Sequence, residues 1–280
     1  MKLTVILPIL EIGNDLDECI NSIENQTIND IELIISCNKN IEKQLKEKYK
    51  CKTISSDSDR IEILRNNAIK QAKGEYISII NDKMILNPKM YENVLFQQSD
   101  ICICCYKENK KVIKIEPFSK QSSIIKIDDN IYNKVFKKSF VINNHFTFNN
   151  CISDKLFIYK AVATANTFGF VHDVCYVTSL VYKSENDERI YRTIDEIIKY
   201  YKIKKIYEKN KSKLEYVFVN EILKTANYLK KDKKHLENNW NYLNEKFPNW
   251  KKNLYVKRMP GIKGLRLRIT NKFIYNIRTL

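Results

Sequence analysis

The chain has 280 residues, 44% of them hydrophobic, and a formal net charge of +16, which suits one large α/β domain with a helical appendage or two modest domains. Its five glycines fall far below the usual ~7%, and Gly13, Gly74 and Gly169 stand alone; a Walker or dinucleotide phosphate cradle needs clustered glycines, so composition argues against a P-loop kinase and a Rossmann dehydrogenase. The positive charge calls for a polyanionic partner, and nucleic acid, anionic lipid and a nucleotide-linked substrate all meet that requirement.

Residues 2–9 are a β-branched run, the pattern of a central parallel strand. Leu16, Cys19, Ile20 and Ile23 recur at helical spacing within residues 15–26. A second strand is expected over 32–36, a charged helix over 43–49 and a short third strand over 53–55. Ile61, Leu64, Ala68, Ile69 and Ala72 make 61–72 an amphipathic helix, with Gly74 where a C-cap belongs. Residues 76–80 read as the fourth strand. Strands alternating with helices predict a doubly wound, mainly parallel sheet with right-handed crossovers.

Past Pro88 the pattern loosens. The run Ile101-Cys102-Ile103-Cys104-Cys105-Tyr106 reads as a buried strand in which cysteine acts as a small hydrophobe. Eight cysteines without a secretory leader predict reduced thiols. Residues 110–115 and 123–127 suggest a β excursion, 155–166 a helix and 174–182 another strand. From Ile194 to about residue 248 the chain is helical and rich in tyrosine and lysine, with Tyr200, Tyr201, Tyr207 and Tyr216 expected to turn inward. Residues 251–280 carry nine lysines and arginines and no acid. The expected division is 1–190 for the sheet domain and 191–280 for a helical, basic region. The opening apolar run is too short for a signal peptide, and no uncharged run of ~18 residues predicts a transmembrane helix.

In open α/β sheets ligands bind beyond the carboxyl ends of the strands, and the residues there carry a resemblance. Leu3-Thr4-Val5-Ile6-Leu7-Pro8, Asp17-Glu18-Cys19-Ile20, Arg65-Asn66-Asn67-Ala68-Ile69 and Ala72-Lys73-Gly74-Glu75-Tyr76-Ile77, in that order, resemble the family 2 glycosyltransferases over roughly residues 2–185. The resemblance implies the α/β fold called GT-A and a nucleotide-sugar-dependent, hexosyltransferase-like enzyme of the inverting kind. It places donor binding at Pro8, Ile9, Glu11, Asn38, Arg65, Asn81, Asp82 and Lys83. The family's Asp-x-Asp cluster is eroded here, because Asn81 and Lys83 stand where two carboxylates are expected. Two carboxylates would hold a divalent cation against a diphosphate leaving group. With Asp82 alone the resemblance implies either weakly held Mn2+ or Mg2+ or metal-independent chemistry in which Lys83, with Arg65, supplies positive charge. Cys37 stands where the family's uracil-binding Asp would be, and Asn38 beside it could bond a base edge.

By the same resemblance, Asp154 within Cys151-Ile152-Ser153-Asp154-Lys155-Leu156-Phe157 is the base that deprotonates the acceptor hydroxyl, with Ser153 replacing the customary Glu. Position alone also permits a helix N-cap. The implied partners are a nucleotide-sugar donor and a surface glycan or lipid-linked acceptor. The basic C-terminal tail is expected to touch an anionic membrane, giving a cytoplasmic protein on the inner face of the membrane. His145, His172 and His235 lack ligand spacing. No nucleic-acid signature accompanies the charge, so nucleic acid is not expected. The rival reading, motivated by Cys37, Asn81 and Lys83, is a non-catalytic relative that binds or scaffolds.

Overall fold

A computed structural model describes residues 1–149, 153–179, 187–228 and 233–258. The first half alternates as expected: β1 (Leu3–Ile9), α1 (Leu16–Glu24), β2 (Ile31–Asn38), α2 (Lys39–Lys48), β3 (Lys52–Ser56), α3 (Ile61–Gln71) and β4 (Tyr76–Ile79). These four strands are parallel in the order β3-β2-β1-β4. All seven residues of β1 are buried, since a parallel sheet is covered on both faces and its strands read as unbroken apolar runs. Ile9 is level with Cys37, and Ile6 with Ile79, so β1, β2 and β4 end together on one edge of the sheet.

Two local expectations change. Helix α2 begins four residues early because Asn38 caps it, its Oδ1 accepting the Asn40 N–H at 2.8 Å. Gly74 is not the cap of α3: Ala72 holds that place in an extended conformation. Glycine is needed at 74 because a Cβ there would lie 2.3 Å from the Thr4 nitrogen and 2.4 Å from the Leu3 carbonyl carbon. The chain enters β4 pressed against β1, and the Gly74 N–H donates to Thr4 Oγ1 at 2.8 Å.

The second half contributes β5 (Met84–Leu86), α4 (Met90–Phe96), β6 (Ile101–Glu108), β7 (Lys111–Ile113), α5 (Ser123–Lys126), β8 (Lys134–Lys137), α6 (Lys138–Asn143), α7 (Asp154–Thr164) and β9 (Phe168–Thr178). Among the described residues the sheet has nine strands, in the order β3-β2-β1-β4-β8-β6-β9-β5 with β7 beside β6. β8 runs antiparallel between β4 and β6, β9 parallel to β6, and β5 antiparallel at the edge. Cys102, Cys104 and Cys105 are buried free thiols within β6. Residues 123–127, expected extended, instead form the short helix α5. The Lys126 and Ile127 N–H groups return to the Ser122 and Ser123 carbonyls, and Ser123 Oγ bonds the Lys120 carbonyl, local bonding by which serine favours a helical start over a strand.

The C-terminal part is helical: α8 (Asp187–Ile203), α9 (Tyr207–Tyr228), α10 (Lys233–Lys246), a 3-10 turn at Trp250–Lys252 and α11 (Leu254–Lys257). Helix α8 begins ahead of the expected division at 190/191. Its Ile190, Ile194, Ile197 and Tyr201 share one core with Leu156 and Tyr159 of α7 and with Phe218 and Ile222 of α9. Tyr201 is fully buried and donates to the Tyr159 carbonyl at 3.2 Å, while Tyr200, Tyr207 and Tyr216 pack against the same core. Trp250 and Val256 are buried as well, so the start of the basic tail belongs to the fold. The rest of the tail, 259–280, lies outside the described residues, as do Cys151 and residues 180–182 of the expected last strand. Among the described residues no helix is long and apolar enough to cross a membrane.

Candidate active site

Beyond β4 the chain turns through Asn81, Asp82 and Lys83 into β5. The Ile80 N–H still bonds the Ile6 carbonyl at 3.0 Å, which holds the turn against the end of β1. Asn81 is 7% exposed, and its Oδ1 accepts the Lys83 N–H at 2.9 Å. That bond fixes the amide orientation and leaves Nδ2 buried without a partner among the described residues. The Cys19 thiol reaches the Asn81 carbonyl at 3.4 Å and ties the turn to α1.

Asp82 is half-buried, and a Cβ on Gly13 would sit 3.0 Å from its Oδ2, so the loop after β1 lies against this carboxylate. Burial raises the Asp82 pKa above the usual carboxylate range and Asp15 adds to the rise, while Lys83 opposes it. Asp15, Glu18, Asp82, Lys83 and Ile85 help to line a recess of about 160 Å³. The fit to a divalent cation is poor. Among the described residues no three His, Cys, Asp or Glu side chains are grouped to hold a metal. The buried orphan at Asn81 is an N–H donor, whereas Mg2+ and related ions demand several oxygen ligands in near-regular geometry. Within the turn itself the only carboxylate is Asp82, with Asp15 and Glu18 lining the same recess.

The second half of the site is built around Arg65 of α3, which is 2% exposed. Its Nη1 donates to both oxygens of Asp154, at 2.8 and 3.0 Å, and its Nη2 to the Tyr132 hydroxyl at 2.8 Å. The guanidinium carbon lies 5.0 Å from the Phe148 ring centre and 5.5 Å from that of Tyr132, within the range of cation–π attraction. Burial alone would lower the Arg65 pKa, but the negative charge of Asp154 and the Tyr132 oxygen hold it above its ordinary value. Arg65 is therefore a cation locked inside the protein.

Asp154 opens α7, whose side-chain cap is Ser153, with Oγ accepting the Lys155 N–H at 3.4 Å. Capping and carboxylate chemistry are thus divided between neighbours, and the Asp154 charge sits favourably in the first turn. Its side chain keeps 27% exposure. Carboxylate oxygens offer about four lone-pair directions, so a side open to a ligand remains after Arg65 is bound. Tyr132 feels the charges of both halves of the site. Burial is the main cause of its raised pKa, Asp154 and the more distant Asp82 both push in the same direction, and Arg65 opposes them. Asn66 braces the wall, pairing its amide with both backbone groups of Phe148 at 2.8 and 2.9 Å. The Phe148 ring stacks on Phe157 of α7, 4.4 Å between centres.

The structure brings Arg65 and Asp154 into contact and sets Asn81, Asp82 and Lys83 in one turn. Other expected residues are placed differently. Pro8 and Ile9 are buried inside β1 opposite Ser36 and Cys37, so their side chains pack the core and only backbone atoms could meet a donor. Glu11 is exposed in the loop beyond. Asn38 does not present a free amide: Oδ1 caps α2 and Nδ2 donates to Asp59 at 2.6 Å. Arg65, expected to face a diphosphate, spends its charge on Asp154. Tyr132 and Phe148 were not anticipated, because each is a single aromatic in a loop and carries no periodic signal.

The family model described as Glycosyl transferase family 2 matches residues 4–151. The chain is 26% identical over 254 residues to a poly(ribitol-phosphate) beta-glucosyltransferase of Bacillus spizizenii, covering 79% of this chain and 40% of that protein. It is also 26% identical over 201 residues to the poly(ribitol-phosphate) beta-N-acetylglucosaminyltransferase TarP of Staphylococcus aureus, covering 62% of each. The chain thus spans about half the length of these curated relatives. In fold it is similar to the crystal structure of S. aureus TarS residues 1–349 in complex with UDP, with a TM-score of 0.68 and 19% identity over 86% of this chain and 78% of that one.

Proposed function

Since this chain belongs to glycosyl transferase family 2, whose model matches more than half of it, we propose that it is an inverting glycosyltransferase moving a sugar from a nucleotide donor to a hydroxyl of a glycan or lipid-linked acceptor. The observation that carries the reading is the Arg65–Asp154–Tyr132 constellation, whose Tyr132 also feels the charge of Asp82. Asp154, oriented by Arg65, takes the proton of the acceptor hydroxyl as its oxygen attacks the anomeric carbon. The bond to the diphosphate oxygen breaks on the opposite face, and the leaving group departs as an anion toward the exposed ammonium of Lys83. A fixed cation aimed at developing negative charge stabilises the transition state, and no step requires a metal. The sheet domain over 1–190 would hold the donor, and the helical region over 191–280 would complete the acceptor side.

A UDP-sugar is the first donor to test, given the UDP complex of the S. aureus relative. Recognition of the base would differ from a carboxylate contact: burial pushes the Cys37 thiol up to about 11, with Glu42 adding to the rise, so it is neutral, and Asn38 is committed to α2. A thermal-shift screen of nucleoside diphosphates and their sugars, followed by a transfer assay, tests the proposal. The expected result is a higher Tm with one nucleotide, as native-state ligands raise apparent stability, together with transfer or slow hydrolysis of the matching sugar. Binding without turnover under any acceptor would favour the scaffolding alternative, which the replacements at Asn81 and Lys83 motivate.

Metal dependence should be mild. Chelator is expected to lower the rate by only a few-fold, and Lys83→Ala to weaken nucleoside diphosphate binding roughly tenfold, the size of one lost charged hydrogen bond. A strict manganese requirement with a neutral Lys83→Ala would overturn this assignment of the turn.

We also propose a cytoplasmic protein bound peripherally to the inner face of the membrane through residues 259–280. Truncation has to begin at 259, because Trp250 and Val256 are core residues. The segment carries Lys263, Arg266, Arg268, Lys272 and Arg278, each cation adding about 1 kcal/mol at an anionic surface. The truncated protein should fold and lose more than tenfold in binding to anionic vesicles at low salt. Equal binding by both forms would remove the tail from the account.

A further inference from the structure

Next to Asp154, Lys155 is bound in a way that the reaction itself does not use. Its side chain is 18% exposed, and its ammonium is held by Asp129 Oδ2 at 2.9 Å and by Glu221 of α9. Burial would lower the Lys155 pKa, but the two carboxylates hold it above its ordinary value. It is a charged clasp joining three elements. One is α7, which begins with Asp154. Another is the loop before β8, where Asp129 stands three residues ahead of Tyr132. The third is α9.

That loop is rigid. Lys134, almost fully buried, bonds the Asn130 carbonyl at 2.6 Å, Asn133 Oδ1 at 2.8 Å and the Asp128 carboxylate. Asn130 Oδ1 accepts the Tyr132 N–H at 2.9 Å. Asp129 thus lies between Asp128 and Asn130, both bonded to Lys134, and Asn130 bonds the Tyr132 backbone. Helix α8 reinforces the same frame: Thr193 Oγ accepts the Ser153 N–H at 3.0 Å, and Arg189 lies 3.8 Å from Glu62 of α3, one turn ahead of Arg65. Asp129, Lys155, Thr193 and Glu221 line a shared recess of about 230 Å³.

We infer that Lys155 is a positioning residue, and that its clasp by Asp129 and Glu221 lets helix α9, alongside the separate contacts of α8, hold Asp154 and Tyr132 in register with Arg65. The inference rests on the glycosyltransferase reading of the site and adds a role for the C-terminal helices in it. The sensitivity is geometric, since a 1 Å displacement of a reacting group can cost about 100-fold in rate.

The test compares Lys155→Met, Lys155→Arg and Glu221→Gln with the parent, in the full chain. Lys155→Met leaves two carboxylates facing each other and can fail to fold; Glu221→Gln keeps the shape and removes one charge, so it carries the test in that case. The expected result is a kcat lowered about 10- to 100-fold in Glu221→Gln and Lys155→Met. The donor KM and the thermal shift with nucleoside diphosphate should be unchanged, and Lys155→Arg should recover most of the loss. Hydrogen exchange by mass spectrometry should rise at residues 154–157 and 129–133 in the same variants, ahead of any global change. Parental kcat and parental exchange in a folded Glu221→Gln would overturn the inference, as would a loss in Lys155→Arg equal to that in Lys155→Met. An inactive parent would instead overturn the glycosyltransferase reading, and the exchange measurement would still decide whether the clasp orders the site.

Discussion

Asp154→Asn is expected to lower sugar transfer by ~100- to ~10,000-fold, the range for losing a general base, and to destabilise the protein at the same time. Asn retains the shape of the side chain and one acceptor oxygen but cannot take a proton from the acceptor hydroxyl. The stability loss follows from Arg65. Its guanidinium is 2% exposed and bonded to both Asp154 oxygens, so neutralising Asp154 strands a buried charge, which typically costs ~3–5 kcal/mol. The amide oxygen of Asn, the Tyr132 hydroxyl and the two flanking rings remain, which places the expected loss near ~3 kcal/mol. At ~2–4 °C per kcal/mol, Tm should fall by roughly 6–12 °C while nucleotide binding persists. The rate must therefore be measured well below the variant's own Tm. Transfer at the parental rate there would make Asp154 a structural partner of Arg65 and send the search for a base elsewhere.

The Arg65–Asp154 pair was not legible in the sequence, whereas most of the frame around it was. Period and composition are local properties, and β1, β2, β4 and α3 were readable because each buries a contiguous or 3.6-periodic set of side chains. The boundaries moved where one side chain bonded locally: Asn38 started α2 early, and Ser123 bonded back to Lys120 at the start of α5. Gly74 was marked by its position after a helix, but its cause is the approach of β1, seventy residues away in the chain. The resemblance to the family singled out Arg65 and Asp154 separately. Nothing in the chain announced that they face each other at a sequence separation of 89, because an ion pair between α3 and α7 leaves no periodic trace. The resemblance and charge together suggested Arg65 as a cation for the diphosphate; in the structure it is 2% exposed and bonded to Asp154, which no sequence pattern indicated. Tyr132 and Phe148 were missed for the same reason: each is placed by tertiary packing, through Asn66, Phe157 and Asn130.

Combining Arg65→Met with Asp154→Asn should separate the two roles. Arg65→Met alone removes the cation but leaves Asp154 with partial access to water, since 27% of its side chain is exposed. It is expected to cost somewhat less stability than Asp154→Asn, and to slow transfer because the carboxylate loses the donor that orients it. In the double variant neither charge is stranded. Methionine fills much of the arginine's volume between Tyr132 and Phe148, adapting to irregular space and contacting both rings through its thioether, and replacing both members of a buried pair is often close to neutral. The double variant should therefore be more stable than the sum of the two single losses predicts, with a coupling of ~0.5–3 kcal/mol, and should remain as inactive as Asp154→Asn. Recovery of stability without recovery of transfer is the signature of a carboxylate that serves both the fold and the chemistry. If the two single losses simply add, Arg65 does not hold Asp154 in solution, and the orientation on which the proposed base catalysis depends would have to come from another residue.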